Sequence, residues 1–122
     1  MTKAYNNHDR LLVAVDCIIF GFDGTEIKAL LVKRSLEPEK GKWSLMGGFV
    51  GAKESVHDAA TRVLEHLTGL DNVYMEQLHC FGDVKRDAAG RVVSVAYFAL
   101  IKLDDYKAAL LQKHQASWFC LH

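Results

Sequence analysis

The sequence of 122 residues is poor in the features that mark several large classes of protein. Its 15 Lys and Arg residues balance its 15 Asp and Glu residues, so it lacks the excess positive charge that binds nucleic acid or an acidic membrane. Its apolar runs fall short of the roughly 20 residues of a bilayer-spanning helix, and residues 1–7 do not resemble a signal peptide. We therefore expect one globular domain over 1–122, with no membrane association and no direct contact with nucleic acid.

The chain also has few cysteines and prolines, namely three Cys and one Pro. Cys17, Cys80 and Cys120 are odd in number and widely spaced, and Cys17 and Cys80 lie within apolar or aromatic stretches. This pattern predicts buried, reduced thiols and a cytoplasmic location. Because the histidines show no metal-ligand spacing, we predict no bound metal and no cofactor.

Apolar residues make up half of the chain and charged residues a quarter, which suits a single core. The apolar patterns predict a hairpin of two strands, an irregular apolar stretch, two central strands, a short helix and a final strand. The hairpin strands cover residues 11–20 and 27–32, and the irregular stretch covers 43–50. The next two strands cover 73–81 and 91–103, the short helix 106–114 and the final strand 118–121. Hairpins combined with strands on either side of a helix predict an α/β protein with a mixed sheet.

A helix is predicted to begin after Ser55, which has the character of an N-cap residue, with Asp58 three residues later. Gly69 is predicted to end it. Between these caps the apolar residues recur at helical spacing on one face, namely Val56, Ala59, Ala60, Val63, Leu64 and Leu67.

The most specific pattern surrounds this helix. Gly48 is followed after five residues by Glu54, after seven more by Arg62, and after six more by Gly69-Leu70. This spacing resembles the Nudix box, G-x5-E-x7-R-E-U-x-E-E-x-G-U, in which U is aliphatic. The resemblance implies a Nudix-like α/β/α sandwich with a mixed sheet.

The chain departs from the box at three positions, where Val63, His66 and Leu67 replace glutamates. In active Nudix proteins these carboxylates hold Mg²⁺ or Mn²⁺ against a diphosphate, and hard cations require oxygen ligands. Helical geometry turns Glu65 toward the polar face, and Glu54 is expected to pair with Arg62. We therefore predict that the domain is not an enzyme. The alternative is a divergent metal-dependent Nudix hydrolase of a nucleoside diphosphate derivative.

Several stretches resemble the N-terminal effector domain of Nudix-related, NrtR-type transcriptional regulators more closely than they resemble hydrolases. These are residues 15–20, 47–50, 73–78 and 91–100, together with Arg86-Asp87-Ala88, where the family has an Arg-Asp-Pro turn. The resemblance implies that the domain binds a small effector, either a sugar or an ADP-ribose-like molecule. A C-terminal winged helix, which we do not find in 1–122, would bind operator DNA. Met46 favours the arabinose-responsive branch. Because operators are commonly palindromic, we expect a monomer–dimer equilibrium.

The effector site is predicted beside the Gly47-Gly48 pair, on the face formed by the two N-terminal strands. The glycines either let a ligand approach the backbone closely or form a simple tight turn. Polar groups would orient the ligand and an aromatic ring would stack on a sugar. The predicted binding residues are Lys33, Arg34, Trp43, Met46, Gly47, Gly48 and Phe49.

Overall fold

The computed structural model describes residues 5–34, 40–84, 91–103 and 108–121. Within these ranges the strands are β1 (Leu12–Phe22), β2 (Ile27–Lys33), β3 (Trp43–Ser44), β4 (Met46–Phe49), β5 (Glu76–Phe81), β6 (Val92–Lys102) and β7 (Ala116–Cys120), and the helices are α1 (Val56–Thr68) and α2 (Ala108–Lys113). The predicted mixed α/β fold is confirmed. The turn expected at Arg86-Asp87-Ala88 lies outside the described residues, as does the beginning of the helix predicted over 106–114.

The strands form one sheet built around β1. Its main path runs β3-β2-β1-β6-β5, while β4 pairs with β1 and β7 with β2. The β1 and β6 strands are parallel, from Leu12 opposite Val92 to Phe22 opposite Lys102, and every other pairing in the described part is antiparallel. Because parallel and antiparallel pairings occur together, the sheet is mixed, as predicted.

The predicted hairpin joins β1 and β2 through a turn centred on Asp23 and Gly24. The carboxylate Oδ1 of Asp23 accepts hydrogen bonds from the backbone amides of Thr25 at 2.9 Å and Glu26 at 2.8 Å. Gly24 has a φ of 101°, a conformation that glycine adopts without steric cost. These contacts set the register in which Phe20 faces Ala29.

The core lies between one face of the sheet and α1. Along β1 every second side chain is buried, as the two-residue period of a strand requires, and these are Val15, Cys17 and Ile19. From α1 the buried apolar residues are Ala59, Ala60, Val63 and Leu64, as predicted. Leu111 of α2 packs against the same cluster. No helix in the described ranges is long and apolar enough to cross a bilayer.

Both predicted caps of α1 are present. The Ser55 hydroxyl accepts a hydrogen bond from the Asp58 amide at 3.0 Å, which satisfies one of the free N–H groups of the first turn. At the other end Gly69 has a φ of 78°, and its amide donates to the Glu65 carbonyl at 2.8 Å. Helix α1, the box helix that carries most of the Nudix-box pattern, is therefore capped at both ends.

Three expectations from the sequence require correction. The β5 strand begins at Glu76 rather than Val73, and all its side chains are exposed, so neither of its faces is covered. It is an edge strand paired only with β6. The prediction that Cys80 is buried was therefore wrong, whereas Cys17 is buried as predicted. Burial raises the pKa of the Cys17 thiol to about 12, and the charge of Asp16 adds to the effect. Residues 43–50, expected to be irregular, contain β3 and β4.

Candidate functional site

A cavity of about 350 Å³ lies against the C-terminal end of α1. Its wall combines the end of β2 and the residue after it, the β3–β4 region, the last turn of α1, and the turn that joins α2 to β7. The lining residues are Val32, Lys33, Arg34, Ser44, Leu45, Gly47, His66, Leu67, Lys113, His114 and Gln115.

The polar groups of this wall favour an anionic ligand. Lys33, Arg34 and Lys113 each carry a full positive charge, and His66 and His114 add two imidazoles. Among the described residues no Asp or Glu lines the cavity. The ends of α1 and α2 also meet here, and a helix C-terminus carries a partial charge of only about −0.5. Three full positive charges exceed that contribution.

Two of the three positions that lack a glutamate belong to this wall. His66 and Leu67 lie in the last turn of α1 and line the cavity, so the cavity borders two of the three positions at which the Nudix box has glutamate. Val63, the third position, is 4% exposed and lies in the core. Imidazole and aliphatic groups do not fit Mg²⁺, which requires oxygen ligands. Within the described ranges, no group of three or more His, Cys, Asp or Glu residues could hold a metal ion.

Glu54 and Arg62 form the pair that the sequence predicts. The Arg62 guanidinium donates from Nη2 to Glu54 Oε1 at 2.7 Å and from Nε to Oε2 at 3.1 Å. Glu54 Oε1 also accepts from the Gly51 amide at 2.9 Å, and Arg62 Nη2 donates to the carbonyl of Phe49 at 2.8 Å. The hydrogen bond from Arg62, followed by that from Gly51, lowers the pKa of the Glu54 carboxyl. This pair therefore fastens the loop after β4 to α1.

Neither glycine of the Gly47-Gly48 pair lies in a tight turn, because both belong to β4 and face β1. A Cβ on Gly47 would lie 2.7 Å from Asp16 Oδ1, and one on Gly48 would lie 2.8 Å from Cγ2 of Val63. Glycine at these positions permits close packing, and Gly47 also exposes backbone to the cavity.

The structure brings Lys33, Arg34 and Gly47 together in the cavity wall, but it does not place the other four predicted binding residues there. Met46 faces Cys17 and is fully buried in the core. Trp43 packs edge-to-face on Phe119, with ring centroids 5.2 Å apart. Phe49 is 57% exposed, and Gly48 lies beneath Val63. The strand alternation across β4 explains these positions. It turns residues 46 and 48 toward the core and residues 47 and 49 away from it.

Sequence reasoning missed Lys113, His114 and Gln115, which reach the cavity from the turn after α2. A basic residue in the last turn of a short helix was an available signal, but a solvated lysine has the same pattern. A second depression, of about 740 Å³, is lined by Phe20, Glu26, Ile27, Phe98, Leu100 and Leu121. Its largely apolar wall does not suit a charged ligand.

Comparison with known proteins gives a match to the NUDIX domain model over residues 10–122. The chain belongs to the Nudix family. This Nudix domain is 38% identical over 112 residues to the "ADPR responsive transcriptional repressor NtrR" of Acinetobacter baylyi, covering 90% of the chain and 45% of that protein. It is 36% identical over 95 residues to an "ADP-ribose pyrophosphatase" of Methanocaldococcus jannaschii, covering 78% and 54% respectively. The chain thus spans about half the length of these curated relatives.

Solved structures give the same picture of this Nudix domain. Shewanella oneidensis NrtR has a TM-score of 0.78 at 33% identity, over 89% of this chain and 52% of that one. The NUDIX domain of the same regulator, crystallised with ADP ribose, has a TM-score of 0.73 at 32% identity, over 98% and 84% of the two chains. The predicted resemblance to NrtR-type regulators is confirmed.

Proposed function

We propose that this Nudix domain binds ADP-ribose in the cavity at the end of α1, as the ligand-sensing part of a bacterial transcriptional regulator, and that it does not hydrolyse the ligand. The observation that carries the proposal is the wall of the cavity. Lys33, Arg34 and Lys113 line the same cavity as His66 and Leu67, which replace two of the glutamates of the Nudix box.

The charge of the ligand explains why cations suit this position. The diphosphate of ADP-ribose carries two negative charges, which must be neutralised when it leaves water. A hydrolase neutralises them with divalent metal, whereas lysine and arginine can do so by direct charge-assisted hydrogen bonds. Such a bond contributes about 1.5–3 kcal/mol, so two or three of them supply a substantial part of the roughly 8 kcal/mol of micromolar binding. Contacts to the rest of the ligand must supply the remainder and offset the cost of association.

The relatives favour ADP-ribose over the sugar effector that Met46 suggested. One is named as an ADPR-responsive repressor, and the NUDIX domain of another was crystallised with ADP ribose. Met46 is fully buried opposite Cys17. Its identity therefore reflects core packing rather than contact with an effector.

Hydrolysis is the alternative function, favoured by the resemblance to the ADP-ribose pyrophosphatase. It would require metal ligands that Val63 and Leu67 do not supply. With Mg²⁺ or Mn²⁺ present, we expect the domain to release AMP from ADP-ribose no faster than a blank. Turnover near 1 s⁻¹, at the low end of ordinary enzymes, would contradict the proposal and favour the hydrolase.

The partners follow from the division of labour in such regulators. Operator DNA would be bound by a separate winged-helix domain, since the charges of 1–122 balance. A monomer–dimer equilibrium remains our expectation, and sedimentation should give a mass between one and two chains at micromolar concentration. Tight, salt-sensitive binding of duplex DNA by 1–122 alone would overturn this division.

Calorimetric titration of ADP-ribose into cavity variants tests the binding site. Lys33→Ala and Lys113→Ala should each weaken binding by about 5- to 30-fold, which corresponds to about 1–2 kcal/mol for a partly exposed charged contact. Lys102→Ala is the matched control, because Lys102 is an exposed lysine on β6 outside the cavity wall. If all three variants bind like the unmodified domain, the ligand is bound elsewhere.

A further inference from the structure

Gln115 lies in the turn between α2 and β7 and has an unusual backbone conformation. Its φ is 51°, in the left-handed region, where an L side chain crowds the following carbonyl. Among the described residues only Asn72, with a φ of 54°, shares this feature without being glycine. Asparagine is several-fold enriched in this region, whereas glutamine is not. A left-handed glutamine persists only where its surroundings hold it.

Two backbone hydrogen bonds hold the turn. The Gln115 carbonyl accepts from the Lys33 amide at 2.9 Å, and the Gln115 amide donates to the Gln112 carbonyl at 3.3 Å. The first bond extends the β2·β7 ladder, in which Ala116 faces Val32. Gln115 therefore ties the end of α2 to the end of β2, at the residue that supplies one of the cavity cations.

The turn also determines where the preceding side chains point. Lys113 ends α2 and His114 follows it, and both line the cavity together with Lys33 and Arg34. An ordinary φ near −63° would rotate the chain before Gln115 by about 110°. With β7 fixed in the sheet, that rotation would carry Lys113 and His114 out of the wall.

We infer that Gln115 is a positioning residue, whose left-handed turn places Lys113 and His114 against the diphosphate of the ligand. The inference rests on the proposed function, and it adds the α2–β7 turn to a site that the Nudix box and β2 otherwise form. Holding Lys113 near Lys33 brings like charges together in the free domain. A dianionic ligand relieves that repulsion, so the turn prepares the cavity for a diphosphate.

Substitutions at Gln115, with ADP-ribose as the titrant, test the inference. Gln115→Gly and Gln115→Asn tolerate a positive φ. Both remove the Gln115 side chain from the cavity wall, as Gln115→Val does, but they should retain clearly more affinity than Gln115→Val. Gln115→Val cannot adopt that φ without strain and should lose at least as much affinity as Lys113→Ala. Adding Lys113→Ala to Gln115→Val should cause little further loss, because the lysine has already left the site.

Asn72→Val is the matched control, since it puts the same strain at an exposed residue outside the cavity wall. It should lower the melting temperature but leave the affinity unchanged. If Gln115→Val does not fold, Gln115→Thr introduces the same β-branched restriction with a polar side chain and should also lose affinity. If the folded β-branched variant binds as tightly as Gln115→Gly, the inference about Gln115 is overturned, whereas the proposed function stands. Failure of the unmodified domain to bind ADP-ribose would overturn the proposed function and the inference with it.

Discussion

Replacing Gly48 with alanine tests how tightly the box helix packs on the strand that borders the cavity. Gly48 pairs with Val15 in the sheet, and a Cβ built on it lies 2.8 Å from Cγ2 of Val63. Ordinary van der Waals contact begins at 3.4 Å. Val63 is 4% exposed and belongs to the core, and its β-branched side chain has few alternative rotamers in a helix. The strain must be absorbed by the β4–α1 contact.

The expected cost follows from overpacking a core, which amounts to about 1–3 kcal/mol. We expect Gly48→Ala to lower the free energy of unfolding by about 2 kcal/mol, and Val63→Ala to lower it by a similar amount through lost burial and a cavity. In the double variant the new methyl occupies the space that Val63 vacated. Its loss should therefore be nearly that of one change, with a coupling of about 2 kcal/mol.

Urea denaturation of the unmodified domain, the two single variants and the double variant gives the four free energies of this double-mutant cycle. The four values can be compared if the m-values are similar. Gly82→Ala is the control, because a Cβ on Gly82 meets nothing within 4 Å. It should change stability by less than about 0.5 kcal/mol. The packing argument would be refuted if Gly48→Ala had the same free energy of unfolding as the unmodified domain. It would also be refuted if the losses of the two single variants simply added in the double variant.

Three further predictions concern charged groups. Hydrogen bonds from the Glu26 and Thr25 amides lower the pKa of Asp23 from 3.8 to about 2, so its stabilising effect is present above pH 3.8 and is lost as the pH falls toward 2. In Asp23→Asn the melting temperature, measured by thermal unfolding, should fall less steeply between pH 3.8 and 2 than in the unmodified domain. Glu54→Gln weakens the pair with Arg62 and should speed hydrogen exchange at the Gly51 amide, which exchange NMR would detect. Val63→Glu buries a carboxylate and should cost about 3–5 kcal/mol at neutral pH, with partial recovery near pH 4 because the buried carboxyl becomes neutral. Full stability at pH 7 would contradict that burial.

Local signals in the sequence predicted the hairpin and the box helix. Asp23 and Gly24 provide the turn, and Ser55 and Gly69 cap α1, because each acts on backbone groups within a few residues. These features depend on short-range geometry. The pairing of Glu54 with Arg62 was expected from the resemblance to the Nudix box instead, since a loop and two helical turns separate the two residues and only the fold brings them together.

The parts that sequence reasoning missed depend on tertiary contacts. Cys80 is exposed because both faces of β5, an edge strand, are open to solvent, and apolar neighbours in sequence do not reveal an uncovered strand. Met46 faces the core because of its register with Cys17. His114 and Gln115 lie beside Lys33 in the cavity wall because the Lys33 amide is hydrogen-bonded to the Gln115 carbonyl. Lys33 and Gln115 are far apart in the sequence, so this contact could not be predicted from local patterns.

The central claim is that lysine and arginine replace metal in holding the diphosphate. Calorimetric titration of ADP-ribose in excess chelator, repeated with millimolar Mg²⁺, tests it most directly. We predict one site per chain and affinities that agree within about twofold in the two buffers, with no AMP released during either titration. Binding that appears only with Mg²⁺, or binding accompanied by AMP release, would contradict the claim.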